Sequence, residues 1–414
     1  MNGKKRPGLS PQYIKGFRCV GAACEDSCCV GWRVDIDRET WSKYKKVHHQ
    51  ELTPLMEETI KRNRSATKSE AYYAKVRLDR EGACPFLSKE MLCRIQLEYG
   101  EAYLSNVCTT YPRSVNILNG VLERSASMSC PEAAKLALLQ PDPMEFDEDA
   151  VPADTRNFVK NSMNTQELKF ANRAERHLWP LRIFTISVLQ DRRHLLWERL
   201  VILGIFYDRV QTALNEEKAN EIPALIAAHK SMLDDGSFKA AIRGIPTQNT
   251  IQMELLKELA DERYLSGVNN KRYLECFGEF LWGISYTADS TVEEIGRRYH
   301  DAWLNYYIPY MGEHEYILEN YLVNYVFKNL FPFTREKSLF DSYAMLVLHY
   351  SLIKMHLIGI AGYRKGLTDE LVIKLIQSLS KTIEHTQIYL DRIAELIKRN
   401  GINTMAYMSI LIRN

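Results

Sequence analysis

Thiols gathered on a few loops bind soft metals, form disulfides or carry redox chemistry. Eight of the nine cysteines in this 414-residue chain fall before residue 131. They are Cys19, Cys24, Cys28, Cys29, Cys84, Cys93, Cys108 and Cys130, while Cys276 stands apart in an apolar helical context. Thiolate ligands suit zinc or an iron–sulfur cluster. Close cysteines on one loop converge on a centre with little extra loop closure, and a second loop completes the ligand set, so metal binding and folding are coupled. Eight thiols make either two four-thiolate sites or one site plus structural cysteines. By sequence they divide into Cys19, Cys24, Cys28 and Cys29, then Cys84, Cys93, Cys108 and Cys130. Cys28 and Cys29 are adjacent, and their side chains are expected to point in different directions, which argues against both holding one metal atom.

The basic start (Lys4, Lys5, Arg6) runs into Pro7 and Gly8 rather than an apolar signal-peptide core. The expected compartment is therefore the reducing cytoplasm, where clustered cysteines are metal-binding or catalytic more often than disulfide-bonded. With 46% hydrophobic and 26% charged residues the composition is that of a globular protein. A formal charge of +2 lacks the basic excess of a nucleic-acid binder. The most apolar stretch, Leu346 to Ile360, carries His349, Lys354 and His356 and reads as a buried helix, so no membrane span is expected.

The elements that must position these thiols are short. Trp32 to Asp37 and Tyr73 to Leu78 alternate apolar and polar residues as half-buried strands do. Val115 to Leu118 and Val121 to Glu123 flank Asn119-Gly120, a two-residue hairpin turn. Glu39 to Gln50 and Pro54 to Arg62 read as short helices. The acidic, proline-containing residues 141–157 read as a linker. Beyond them apolar residues recur at helical spacing over 181–215, 219–233, 250–259, 292–307, 317–331, 338–361 and 369–399. The expected fold is mainly α: a Cys-rich, loop-rich metal-binding region with short β hairpins (1–140), a linker (141–157) and an α-helical domain (158–414).

Two common cofactor signatures are missing. The Cys-x3-Cys-x2-Cys loop of radical S-adenosylmethionine enzymes fails at its third ligand, because Cys29 follows Cys28 directly and residue 31 is glycine. No Gly-rich Rossmann turn is present either, since Gly204, Gly244 and Gly267 stand singly.

The second cysteine group, Cys84-Pro85-Phe86-Leu87, Cys93-Arg94-Ile95 and Cys108 followed by Tyr111-Pro112-Arg113, resembles zinc- or iron-chelating cysteine domains. The whole chain resembles the flagellin lysine-N-methylases, the FliB-like family. That resemblance rests on Phe17 to Asp37 with Cys28-Cys29-x-Gly31-Trp32, and on Leu104 to Arg113. It continues through Arg182 to Ile186, Glu198 to Gly204, Glu319 to Tyr325 and Phe331-Pro332-Phe333. It implies methyl transfer from S-adenosylmethionine to lysine ε-amines of flagellin, with a cysteine-bound iron–sulfur cluster of the 4Fe-4S type. It carries over no catalytic base. The competing reading is a non-enzymatic module in which the cysteines hold structural zinc and the helices bind a protein or handle metal.

Outside the cysteines, lysine methylation needs a deprotonated amine held in line with the methyl donor. His300 to Tyr310 and Glu319 to Tyr325 are rich in tyrosines, carboxylates and amides that suit such a channel, although stripes at helical spacing are more often core. Arg113 is the arginine placed to hold an anionic group such as the carboxylate of S-adenosylmethionine, with a salt bridge as the equal alternative. Arg192-Arg193 and Arg297-Arg298 read as solvated charge pairs, and His349 and His356 as satisfied core histidines.

Overall fold

The structure is a computed structural model describing residues 5–64, 70–152, 158–265, 267–268, 270–287, 289–334, 336, 338–383, 392–393, 395, 398–399 and 401–414. The chain forms two compact units. The first comprises Met1–Leu136, Glu145–Met163 and Ser380–His385, and the second Ala137–Met144, Asn164–Leu379 and Thr386–Asn414.

The first unit holds two small sheets. Strands β1 (Lys5–Pro11), β5 (Arg113–Leu118), β6 (Val121–Ala126), β7 (Phe146–Pro152) and β8 (Val159–Met163) form one, in the order β7-β1-β6-β5-β8. β2 (Asp35–Ile36), β3 (Ile60–Arg62) and β4 (Ala74–Val76) form the other, in the order β2-β4-β3. The β5–β6 hairpin closes through Asn119 (φ 52°) and Gly120 (φ 83°), the positive-φ pair that a type I′ turn demands. The alternation at Trp32 to Asp37 yields only the two-residue β2, and that at Tyr73 to Leu78 yields β4.

The expected linker is the clearest departure. Its residues Phe146–Pro152 form β7, paired antiparallel over seven positions with Lys5–Pro11. Backbone pairing outweighs the acidic composition, because Lys15 neutralises Asp147 at 2.7 Å and Pro152 sits at the strand end, where its missing N–H costs little. Residues 153–157 of the linker lie outside the described residues. The partner strand β1 was hidden by Pro7 and Pro11. Gly8 lets it pass: a Cβ there would meet Asp149 Oδ1 at 2.1 Å and Val151 Cγ2 at 2.7 Å.

The second unit is helical, as the periodicity indicates. Leu178–Leu189 and Leu196–Asn215 share the expected 181–215 span, with Ile222–Asp234, Asn249–Leu265, Val292–Ala302, Tyr316–Lys328 and Asp369–Ile383 following. Trp303–Tyr307 is a π-helical turn. The helix Lys271–Gly283, of which only the Cys276 segment is legible by period, and Met405–Ile412 are further members. Residues 384–391 of the expected 369–399 helix lie outside the described residues. Leu339–Arg364 is apolar on all sides and buried from Leu339 to Gly362. It is long and apolar enough to cross a membrane, and all of that apolar window is packed inside the protein. Its glycines permit a close helix crossing: a Cβ on Gly283 would lie 1.7 Å from Gly359 O, and one on Gly359 2.6 Å from Phe280 O.

Several polar residues of this core are paired. His356 donates from Nδ1 to Leu352 O (2.7 Å) and accepts at Nε2 from the Tyr273 hydroxyl (3.2 Å), and burial pushes it down to about 4. His349 bonds Tyr321 through Nδ1 at 2.9 Å. Glu319 receives Arg199 at 2.6 Å and Arg192 at 2.8 Å, so Arg192 is the partner of a buried carboxylate and not a solvated charge. Asn320 donates to Gln140 O at 2.8 Å. The Glu319 to Tyr325 segment is therefore core network, since every residue of Tyr316–Lys328 after the first is buried.

Candidate functional site

Three short segments bring cysteines together in the first unit. Val30 bridges Ala83, Cys84 N donates to Cys29 O at 2.8 Å, and Gly31 N donates to Gly82 O at 2.9 Å. Gly31 (φ 88°) and Gly82 (φ 79°) supply the left-handed backbone that this pairing needs. A turn then returns Cys93 to Cys84: Ser88 N donates to Leu92 O (2.8 Å), Leu87 bridges Cys93, and Arg94 N donates to Phe86 O (2.8 Å). Cys108 lies on the short helix Asn106–Thr110, capped by Ser105, whose Oγ accepts from Cys108 N at 3.3 Å. Asp37 fixes that helix to the end of β2. Its carboxylate accepts from Asn106 N (2.9 Å) and also caps Arg38–Tyr44 through Thr40 N (2.9 Å).

The result is a pocket of about 80 Å³. Cys28, Cys29, Cys84, Cys93 and Cys108 line it with Trp32, Val34, Ile36, Tyr44, Phe86, Ile95 and Tyr111 among others. That room is several times the roughly 10–15 Å³ a single water needs on the same measure. Cys84 belongs to the hydrophobic core beneath, and Cys29, Cys93 and Cys108 pack against it. Burial pushes the Cys84 thiol up to about 11 and Cys108 up to about 12. Cys28 differs. It is exposed at the surface, and its thiol is held below its usual value by a hydrogen bond from Cys29, with Lys381 helping. The same bond drives Cys29 upward. The two sulfurs therefore face each other rather than diverging. All nine cysteines are thiols, with no disulfide among them.

Cys19, Cys24 and Cys130 are not in the pocket lining. Cys130 precedes the helix Pro131–Leu138, and Cys24 follows the 3-10 turn Gly21–Ala23. The division by sequence is thus redrawn: Cys28 and Cys29 join the later cysteines, and Cys130 leaves them. Among the described residues no three His, Cys, Asp or Glu side chains stand close enough to hold one metal ion as placed. Arg113 begins β5, is exposed, sets its guanidinium 5.2 Å from the centre of the Phe17 ring and does not line the pocket. Residues that sequence reasoning passed over as chemistry are Trp32 and Tyr111, whose rings meet at 5.3 Å on the pocket wall, and Lys381, which reaches Asp26 at 2.8 Å. The first two stood in recognisable motifs. No local signal links Lys381 to cysteines more than two hundred and fifty residues earlier in the chain.

Comparison with known proteins identifies the second unit. The FliB lysine N-methylase C-terminal domain matches residues 182–411. A lysine-N-methylase of Salmonella typhimurium (strain LT2) is 24% identical over 254 residues, 61% of this chain and 60% of that protein. The lysine-N-methylase of Salmonella choleraesuis (strain SC-B67) aligns to the same extent. The flagellar biosynthetic protein FliU of Salmonella muenchen is 30% identical over 139 residues, 33% of this chain and 80% of its own length. The chain spans about 60% of the length of the curated lysine-N-methylases it matches. No solved structure matches. With the family's C-terminal domain covering more than half of its length, the chain belongs to the FliB lysine N-methylase family.

Proposed function

We propose that the protein is an S-adenosylmethionine-dependent methyltransferase that modifies lysine ε-amines of flagellin in the cytoplasm, before export, with an iron–sulfur cluster held by pocket cysteines. The match of residues 182–411 to the methylase family carries the reaction class. In that reaction the amine nitrogen forms a bond to the methyl carbon as the sulfur–carbon bond of the donor breaks. A lysine ammonium has no free electron pair, so it must lose a proton before its nitrogen attacks.

The pocket suits a cluster better than a lone ion. Four thiols (Cys29, Cys84, Cys93, Cys108) meet on one apolar core, and a four-iron cluster spreads its thiolates farther apart than one zinc ion does. No side chain in the lining is a formal cation or carboxylate. The apolar wall, with Trp32, Tyr44, Phe86 and Tyr111, would exclude water from whatever the thiols hold. The cluster would supply a soft, electron-accepting metal centre there. The same lining offers no charged partner for the amino-acid end of S-adenosylmethionine, so the methyl donor is expected to bind outside it; Arg113 remains the residue proposed for its carboxylate.

The test is direct. Anaerobically purified, cluster-loaded protein is incubated with flagellin and S-adenosylmethionine, and tryptic peptides are searched for ε-methyllysine. Methylated flagellin lysines are expected, and none from a cluster-loaded preparation overturns the proposal. A colourless protein with stoichiometric zinc would favour the structural-zinc module instead.

A further inference from the structure

The pocket counts five cysteines, one more than a four-thiolate centre uses. Cys28 is the odd one. The apolar core takes in Cys29, Cys84, Cys93 and Cys108 but not Cys28, which stays exposed. Its electrostatic neighbourhood also includes thiols outside the pocket. Cys24 feels the charge of Cys19, Cys28 and Glu132, and Cys130 that of Cys24 and Cys28.

Independent contacts hold these segments together. Lys135, one turn beyond Cys130, pairs with Glu25 beside Cys24 and with Glu132 at 3.3 Å. Lys381 bonds Asp26 at 2.8 Å and Ser27 O at 2.9 Å, next to Cys28. Trp32 Nε1 donates to Cys28 O at 2.5 Å, and the Trp32 ring stacks at a tilt on Tyr111, whose hydroxyl meets Ser129 Oγ at 3.1 Å, one residue before Cys130. The loop carrying Cys24 and Cys28 is thus tied to the segment carrying Cys130 twice, through Lys135–Glu25 and through Trp32–Tyr111–Ser129, while Lys381 holds the same loop from a third element.

We infer that Cys19, Cys24, Cys28 and Cys130 form a second thiolate centre for a soft metal, beside the Cys29–Cys84–Cys93–Cys108 pocket and sharing the Cys28–Cys29 peptide with it. Cys19 and Cys28 are exposed, so metal binding must draw them in, as in sites that order their loops on loading. Four thiolates around a zinc ion or an iron–sulfur cluster leave net negative charge, and Lys135 and Lys381 stand where they offset it. Ligation replaces each S–H proton by the metal, and the four protons leave to solvent.

Two measurements on the full chain decide this. In the first, wild-type protein purified anaerobically and the same protein stripped by chelator are alkylated with iodoacetamide, and labelling is read cysteine by cysteine by mass spectrometry. Cys19, Cys24, Cys28 and Cys130 should be protected when loaded and lose that protection on stripping. Equal labelling of Cys19, Cys24 and Cys130 in both states overturns the second centre. In the second, iron, sulfide and zinc per chain are measured for Cys130→Ser and Cys93→Ser. Each should lose one centre's metal and keep the other's, and the composition of each loss tells zinc from iron–sulfur. A Cys130→Ser protein with undiminished metal overturns the inference. Because the readouts are metal content and thiol protection, a two-centre protein that leaves flagellin unmethylated refutes the proposed function and not this site.

Discussion

The two units bury polar chemistry in opposite ways. In the second, buried polar groups meet partners from their own chain: Glu319 has Arg192 and Arg199, and His356 has Tyr273 and the Leu352 carbonyl. In the first, thiols sit against an apolar core in a pocket whose lining holds no charged side chain, and burial drives Cys84 and Cys108 up to about 11 and 12. A core completed by its own side chains is finished once it folds. A core lined with thiols would be completed by the metal proposed to bind them. The helical core holds its named buried groups with its own side chains, whereas the cysteine loops would owe part of their order to the metal proposed for them.

Three perturbations would break or sharpen that contrast. The largest effect is expected from metal removal. Chelation should make Met1–Leu136 sensitive to limited proteolysis while Asn164–Leu379 stays resistant, because metal binding energy is folding energy for a thiolate site. Equal resistance of both units would erase the distinction. Next is Glu319→Ala, which takes from buried Arg199 its nearest carboxylate, leaving Glu315 at 3.5 Å. Losing one partner of a buried pair costs about 3–5 kcal/mol, read as a lower midpoint for the helical unit with metal content unchanged.

The smallest effect is a pH slope. Burial holds Lys354 down at about 7, its Nζ donating to Ile412 O at 3.1 Å, whereas an unfolded lysine titrates near 10.4. Between those values the unfolded chain binds more protons, so this lysine penalises folding fully below about pH 7 and the penalty fades as pH rises. Lys354→Met should therefore stabilise the protein most at neutral pH. Its advantage should shrink by at most about 1.4 kcal/mol per pH unit towards pH 10. A pH-independent difference in denaturation midpoints would show that Lys354 is not held neutral.

Much of this was legible in residue order. The helical periods, the Asn119-Gly120 hairpin and the burial of Leu346 to Ile360 follow from local rules, and the structure agrees with them. The identity of the thiols was legible too, but their grouping was not. Cys130 is near Cys108 in sequence yet stays out of the pocket that Cys108 lines, and the Lys135–Glu25 pair and the Tyr111–Ser129 bond that place its segment are long-range contacts with no local signature. Strands β1 and β7 carry no local strand signal, for a related reason. Proline and acidic residues are poor strand formers, and only their mutual pairing, with Gly8 leaving room for Asp149, makes them a sheet. Lys381 shows the limit most plainly, since a helix residue near the far end of the chain bonds a loop near its beginning.

The return of residues 145–163 to the first sheet has a consequence for how the protein can be cut, fused or recombined. β7 covers the outer side of β1, and β8 covers the outer side of β5. A fragment ending near residue 140 would keep every cysteine of the cluster and bare both sheet edges, inviting the edge-to-edge association that unpaired strands promote. The cysteine region is therefore not a detachable cassette: gene fusions that respect it must carry the chain through its first excursion into the helices and back.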